Sequence, residues 1–139
     1  MAFYQSRREI MSSIRGKGNK TTELKLLALL KENKVTGWRR HLDILGKPDF
    51  AFTRQKLAVF VDGCFWHGCP RCYQQPRRNT KFWKNKVLMN KARDKRVSRK
   101  LRGEGWSVCR VWECTLKNSP SSAVKKIQRM LAARDLLYY

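Results

Sequence analysis

Acidic residues are few in this chain. Aspartate and glutamate total 10 against 32 lysines and arginines, which leaves a net charge of +22. Such an excess repels itself on compaction and points to a polyanionic partner. Histidine is scarcer still, with two residues in 139. No apolar run is long enough to cross a bilayer, so no membrane partner is expected. Met1 to Arg8 lack an apolar stretch, so no secretory signal is expected and the chain reads as cytoplasmic. Internal repeats and low-complexity tracts are missing too. What remains is more than a basic tail. Five tryptophans and a hydrophobic fraction of 42% suffice for one domain with a genuine core. Charge and aromatics together favour nucleic acid as the partner.

Thr21-Thr22-Glu23 opens a helix. Leu24, Leu27, Ala28, Leu30 and Lys31 recur at helical spacing, Thr21 can cap the end, and Asn33 or Gly37 stops it. Three strands follow, Trp38 to Asp43, Asp49 to Phe52 and Leu57 to Asp62, separated by turns at Gly46-Lys47-Pro48 and Thr53 to Lys56. The third is a continuous apolar run, as at the buried centre of a sheet. Thr80 to Leu101 predicts a long basic helix with Phe82, Trp83, Val87, Val97 and Leu101 on its apolar stripe. Asn90 marks a candidate break, and Gly103 and Gly105 end the helix. Trp106 to Trp112 is a fourth strand, and residues 121–137 a last amphipathic helix. The order α-β-β-β-α-β-α predicts an α/β fold, with a mixed central sheet flanked by helices over residues 21–139. A basic arm over residues 1–20 precedes it, either a short helix that orders on DNA or a solvated segment. Trp38, Trp106 and Trp112 are expected in the core.

Five cysteines are an odd number, and in a reducing compartment clustered cysteines hold metal more often than disulfides. Cys64, Cys69 and Cys72 supply three soft ligands, and a tetrahedral structural zinc needs a fourth. His67, Cys109 and Cys114 are the candidates. Cys109 lies inside a strand, where a thiol is ordinarily core. Cys114 follows a strand end, from which a side chain can turn back to the loop. Ligation by Cys114 leaves His67 free; ligation by His67 leaves no histidine there for catalysis. Cys114 is favoured. Phe65 and Trp66 stand between the cysteines. Against plain core packing, neighbours in a loop do not easily both face inward, so a wedge between stacked bases is expected.

With acids so scarce, each one carries information. Asp49, behind Pro48 at a strand start, is either a turn cap or a Mg²⁺ ligand beside a phosphate. Asp62 ends the next strand as a second ligand or as an acceptor that orients the loop. His67 can remove a proton from water near neutral pH. Asp94 either pairs with Lys91 and Lys95 or orients the imidazole, and Glu23 is a helix N-terminal acid or a support to the metal. Such groups suit phosphodiester hydrolysis, with zinc only holding the loop.

Taken in order, the motifs resemble the very short patch repair endonuclease family over nearly the whole chain. They are Met11-Ser12-x-Ile14-Arg15-Gly16-Lys17, Thr22-Glu23, Pro48-Asp49-Phe50, Val59 through Pro70, Phe82-Trp83-x-x-Lys86, Asn90-x-x-Arg93-Asp94, Gly105-Trp106 and Val111-Trp112-Glu113-Cys114. The resemblance implies a restriction-endonuclease-like fold and a Mg²⁺-dependent nick 5′ of the thymine in a T·G mismatch left by deamination of 5-methylcytosine. It implies Asp49 and the Val61 backbone carbonyl as Mg²⁺ ligands, His67 as general base with Asp94 as its partner, and Glu23 and Asn90 in support. Zn²⁺ would sit on Cys64, Cys69, Cys72 and Cys114. Phe65, Trp66 and Trp83 would insert beside the mismatch while the N-terminal arm clamps the duplex. It further implies a monomer at the bacterial nucleoid, with mismatch-repair proteins as partners. Some members carry threonine where Val61 stands and histidine where Cys69 stands. Val61-Asp62-Gly63 also replaces the nuclease acid-x-lysine pair, which favours His67 over a lysine as base. Two rivals stand beside this reading: a restriction-type endonuclease that cuts both strands, and a non-catalytic zinc-containing DNA-binding module.

Overall fold

The computed structural model describes residues 22–137. The expected arm over residues 1–20 and the Thr21 cap lie outside the described residues. Residues 22–32 are helical (α1). Then come β1 (Trp38–Arg40), β2 (Phe50–Phe52), β3 (Leu57–Asp62), α2 (Thr80–Gly103), β4 (Ser107–Trp112), α3 (Glu113–Asn118) and α4 (Pro120–Leu137). The four strands lie in chain order. β1 and β3 run antiparallel to β2, and β4 runs parallel to β3. A parallel neighbour needs a crossover, which the cysteine loop and α2 provide. The architecture is thus a mixed sheet with helices on its faces, as the order of elements predicts.

Strand alternation divides the core in two. Leu57, Val59 and Val61 of β3, with Cys109 and Val111 of β4 and Phe50 and Phe52 of β2, face Leu26 and Leu30 of α1 and Ala123, Val124 and Ile127 of α4. Ala58, Phe60 and Val108 face Leu101 of α2, with Val97 and Trp106 packed beside them. All six residues of β3 are therefore buried, which explains why its sequence shows no alternation.

Four expectations need correction. β1 stops at Arg40 instead of Asp43, because His41 adopts a left-handed φ of 52° and turns the chain out of the sheet. α2 runs unbroken past Asn90; asparagine costs a helix interior only a few tenths of a kcal/mol. After β4 the chain enters a short helix, α3, that the apolar pattern does not announce. Trp38, Trp106 and Trp112 are half-buried instead of enclosed. Trp38 packs edge-on against Phe50 and donates its indole N–H to the Val35 carbonyl at 3.0 Å. Among the described residues no helix is long and apolar enough to cross a membrane.

Phe50 has no exposed surface and belongs to the larger core, which also takes in residues of α1 and α4. We expect Phe50→Ala to lower unfolding free energy by about 3–5 kcal/mol in a urea titration. Leu88→Ala, on the open side of α2, should change it by less than about 0.5 kcal/mol. Equal effects would contradict the assignment of the core.

Candidate active site

The β3–β4 register builds the site. Asp62 pairs with Trp112 at the strand ends, so the segments leaving both strands emerge side by side. Two residues on from each stand Cys64 and Cys114. The thiols of Cys64, Cys69, Cys72 and Cys114 all lie within 4.8 Å of one another. The Cys114 N–H also donates to Cys64 Sγ at 3.3 Å. Burial disfavours the Cys69 thiolate, but the N–H groups of Arg71 and Cys72 and the neighbouring thiols outweigh it and bring that thiol down to about 7. Burial and Cys72 push the Cys64 thiol up. Four sulfurs at this spacing could hold a zinc ion, which would ionise them together. Cys109 is not among them; it is buried in β4 as a core thiol, and His67 is outside the group.

The loop so held turns tightly. His67 donates its N–H to the Gly63 carbonyl and Cys69 to that of Cys64. Gly68, at φ +62°, lets the loop lie on α2: a Cβ there would come within 2.6 Å of Lys91 Cε and 2.7 Å of Val87 Cγ1. From α2, Asn90 Nδ2 donates to the Trp66 carbonyl at 2.9 Å. His67 Nδ1 and Asp94 Oδ2 are 2.5 Å apart, and His67 Nε2 lies 3.8 Å from Asp62 Oδ1. Burial works against the Asp94 charge, yet the hydrogen bond and charge of His67, with Arg110 and Arg93, hold its carboxyl below the usual range. Asp94 therefore meets the histidine instead of Lys91 or Lys95.

Asp62 has its own cation. Register sets Arg110 opposite Phe60, on the α2 face of the sheet and one step from Asp62 on that face. Arg110 Nη1 donates to both Asp62 oxygens, at 3.0 and 3.3 Å. Its Nη2 reaches the Asp94 carbonyl at 3.3 Å, and the guanidinium lies over the Phe60 ring. Burial pushes the Asp62 carboxyl up, against the pull of His67 and Arg110. Arg110 belongs to none of the motifs, although a charge inside the apolar strand Ser-Val-Cys-Arg-Val-Trp demands a buried partner.

Asp49 is different. It stands one residue before β2, and its Oδ2 accepts the Val61 N–H at 2.6 Å. Among the described residues no lysine or arginine forms an ion pair with it. Burial is the main reason its carboxyl is pushed up to about 6; the Val61 N–H opposes this, Glu23 and Asp62 add to it, and His41 works against it. Glu23, Asp49 and His41 offer oxygen and nitrogen atoms within 4.8 Å of one another. Glu23 Oε1 also accepts from Arg40 Nη2 at 2.9 Å and contacts His41 Nε2. A half-buried acid with no lysine or arginine partner among the described residues, beside a second carboxylate, suits a divalent ion from solution. His41, like Arg110, belongs to none of the motifs. Its rarity was the available signal.

Asp49, Asp62, His67, Asp94 and Arg110 line one cleft of about 580 Å³, together with the cations Lys47, Arg93 and Arg96. A second cleft of about 600 Å³ shares Asp62, His67, Asp94 and Arg110 and carries Lys91, Lys95, Arg99 and Arg102 from one face of α2. Beside the loop, Phe65, Trp66 and Trp83 pack on one another edge to face, with centroids 5.3 to 6.0 Å apart, and Tyr73 and Phe82 join them. Trp66 is buried and Phe65 half-buried. Both neighbours thus find cover, because the rings shelter each other.

Comparison with known proteins fits these parts together. Residues 3–74 match the model of the family described as DNA mismatch endonuclease Vsr. The chain is 39% identical over 119 residues to the type II nicking enzyme V.XorIIP of Xanthomonas oryzae pv. oryzae, spanning 82% of this chain and 84% of that protein. It is 51% identical over 67 residues to the type II nicking enzyme V.NaeI of Lentzea aerocolonigenes, a match that spans 48% of this chain and 40% of that protein. The catalytic domain of the homing endonuclease I-Bth0305I shares the fold, with a TM-score of 0.54 at 18% identity over 81% of this chain and 95% of that domain. On the matched segment and the length shared with the Xanthomonas enzyme, the chain belongs to the DNA mismatch endonuclease Vsr family.

Proposed function

We propose that this protein nicks one strand of duplex DNA 5′ of the thymine in a T·G mismatch, such as deamination of 5-methylcytosine leaves. One observation carries the reading: a nearly enclosed imidazole, anchored at Nδ1 by Asp94, lines the same cleft as Asp49, which has no lysine or arginine partner among the described residues. The family description supports a mismatch as substrate, and relatives named nicking enzymes support a cut in one strand.

His67 is the general base. With its Nδ1–H donated as a hydrogen bond to the Asp94 carboxylate, the Nε2 lone pair takes a proton from water. The water oxygen bonds to phosphorus, the P–O bond on the far side breaks, and its electron pair leaves with the departing oxygen. Asp94, held ionised, stabilises the imidazolium that results. Arg110 keeps Asp62 engaged, so that this carboxylate does not trap the ring as a cation. Lys47, Arg93 and Arg96 meet the backbone phosphates. Asp49 and the Val61 carbonyl, supported by Glu23, would hold Mg²⁺, whose charge offsets that gathering on the phosphoryl and departing oxygens. Zn²⁺ on Cys64, Cys69, Cys72 and Cys114 would only brace the loop. Phe65 and Trp66, on a loop that Asn90 fixes through the Trp66 carbonyl, enter beside the mismatch together with Trp83 of α2, while residues 1–20 clamp the duplex. The enzyme acts as a monomer at the bacterial nucleoid, in the company of mismatch-repair proteins.

His67→Ala and Asp49→Asn should each slow single-turnover nicking of a T·G duplex by roughly 10²–10⁴-fold. A mismatch-bearing plasmid should relax without becoming linear; linear product, or equal cutting of matched DNA, would overturn the reading. A second expectation concerns pH. The folded Asp49 carboxyl sits near 6, above its ordinary 3.8, so the fold favours the protonated acid and loses stability as pH rises between those values. In metal-free protein the melting temperature of Asp49→Asn should therefore gain on that of the wild type from pH 4 to 7 and level off above; a constant gap would contradict the burial of a lone carboxylate. Third, elemental analysis should find zinc in the purified protein and not in Cys114→Ser, which should also lose nicking. Full activity after removal of the thiol-bound metal would exclude a bracing role.

A further inference from the structure

The group formed by Glu23, His41 and Asp49 holds more than two carboxylates. Arg40 pairs with Phe50 at the end of the antiparallel β1–β2 ladder. One step beyond, the His41 N–H faces the Asp49 carbonyl at 3.4 Å, so the ladder sets this histidine against the proposed metal acid. In a regular strand, Arg40 and His41 would point to opposite faces. The left-handed φ of 52° at His41 breaks that alternation, and both side chains reach Glu23 Oε1. Glu23 is buried, whereas the His41 side chain is 58% exposed, so its ring stands where an incoming ion would pass. The chain has many lysines and arginines, yet here it places an imidazole, a group that coordinates through a lone pair.

We propose that His41 is a protein ligand, beside Asp49 and Glu23, to the divalent cation of this site, and that its nitrogen biases the site toward manganese and later first-row ions over magnesium. The inference rests on the reading of Asp49 as the cation-binding acid. Oxygen donors alone suit Mg²⁺, whereas an imidazole favours ions further along the transition series. Arg40 stays on Glu23 and offsets the second carboxylate, so the three donors need not bring excess negative charge.

Binding can be read without activity. Free Mn²⁺ is followed by electron paramagnetic resonance as it is titrated into the full chain with its thiol-bound metal in place, and Mg²⁺ is used as competitor. We expect His41→Ala to weaken Mn²⁺ binding on the order of tenfold or more while Mg²⁺ binding changes by less than about twofold. Pulsed measurements on bound Mn²⁺ should show a directly coordinated nitrogen in the wild type that is lost in His41→Ala. Unchanged Mn²⁺ affinity, or a nitrogen coupling that is absent from the wild type or persists in the variant, would overturn the proposal. Asp49→Asn separates the two levels: if it leaves Mn²⁺ affinity intact, the reading of Asp49 itself fails, whatever His41 does. Should His41→Ala fail to fold, the nitrogen signal of the wild type and the affinity of His41→Asn still decide the matter.

Discussion

The parallel pairing of β3 with β4 is the constraint on which the rest depends. Parallel neighbours end at the same edge of a sheet, and here they end in register, Asp62 beside Trp112. The two chain segments that follow start as neighbours, although about fifty residues separate them in sequence. Cysteines two residues past each strand can therefore meet with little loop to order. Closing so long a connection costs conformational entropy, but the sheet has met that cost before the thiols converge. His67 lies three residues beyond Cys64 and inherits its position from this closure. Asp94 and Asn90, one helical turn apart on α2, then grip the ring and the backbone of the loop at two points. A ring bonded at Nδ1, on a loop whose backbone is also anchored, is fixed with Nε2 toward Asp62.

In a protein of charge +22, three acids in and beside the cleft meet a cation within the described residues. Asp62 has Arg110, Asp94 has His67 and Arg110, and Glu23 has Arg40. These pairs are more than surface decoration, since burial magnifies the cost of any carboxylate left alone. Asp49 breaks the pattern among the described residues. Its hydrogen-bond donor among the described residues is the neutral Val61 N–H, and burial raises its carboxyl. Among the described acids that line the cleft, those neutralised within the fold thus differ from Asp49, which meets a neutral donor instead.

Much of this was legible in the sequence because it depends on local pattern. The apolar run from Leu57 to Asp62, the turn before Asp49 and the spacing of Cys64, Cys69 and Cys72 each state a local requirement, and the structure meets it. The geometry likewise brings Cys114 to the thiol group and Asp94 to His67. What stayed hidden depends on pairing across the sheet. Arg110 makes sense only once register sets it one step from Asp62, and no count of residues along the chain supplies that register. His41 matters only because a left-handed turn aims it at Glu23, a backbone choice with no glycine to advertise it. The half-burial of Trp112 follows from its place at the strand end, where it lines a cleft instead of the core.

The aromatic cluster bears on how a wedge would work. Phe65, Trp66 and Trp83 already satisfy one another through edge-to-face contacts, each worth about 0.5–1.5 kcal/mol beyond simple burial. Entry into a duplex would exchange ring–ring contacts for ring–base contacts of similar size. The protein side of that exchange is then close to neutral, and the balance shifts to the DNA. A matched pair resists unstacking more than a wobble pair does, so the readiness of the duplex to open decides where the rings enter. Rings that stood fully exposed in the free protein would gain on entering almost any DNA and would discriminate less. Mutual cover in the free state would lower affinity for every site alike, which would leave a mismatch as the place where such insertion succeeds.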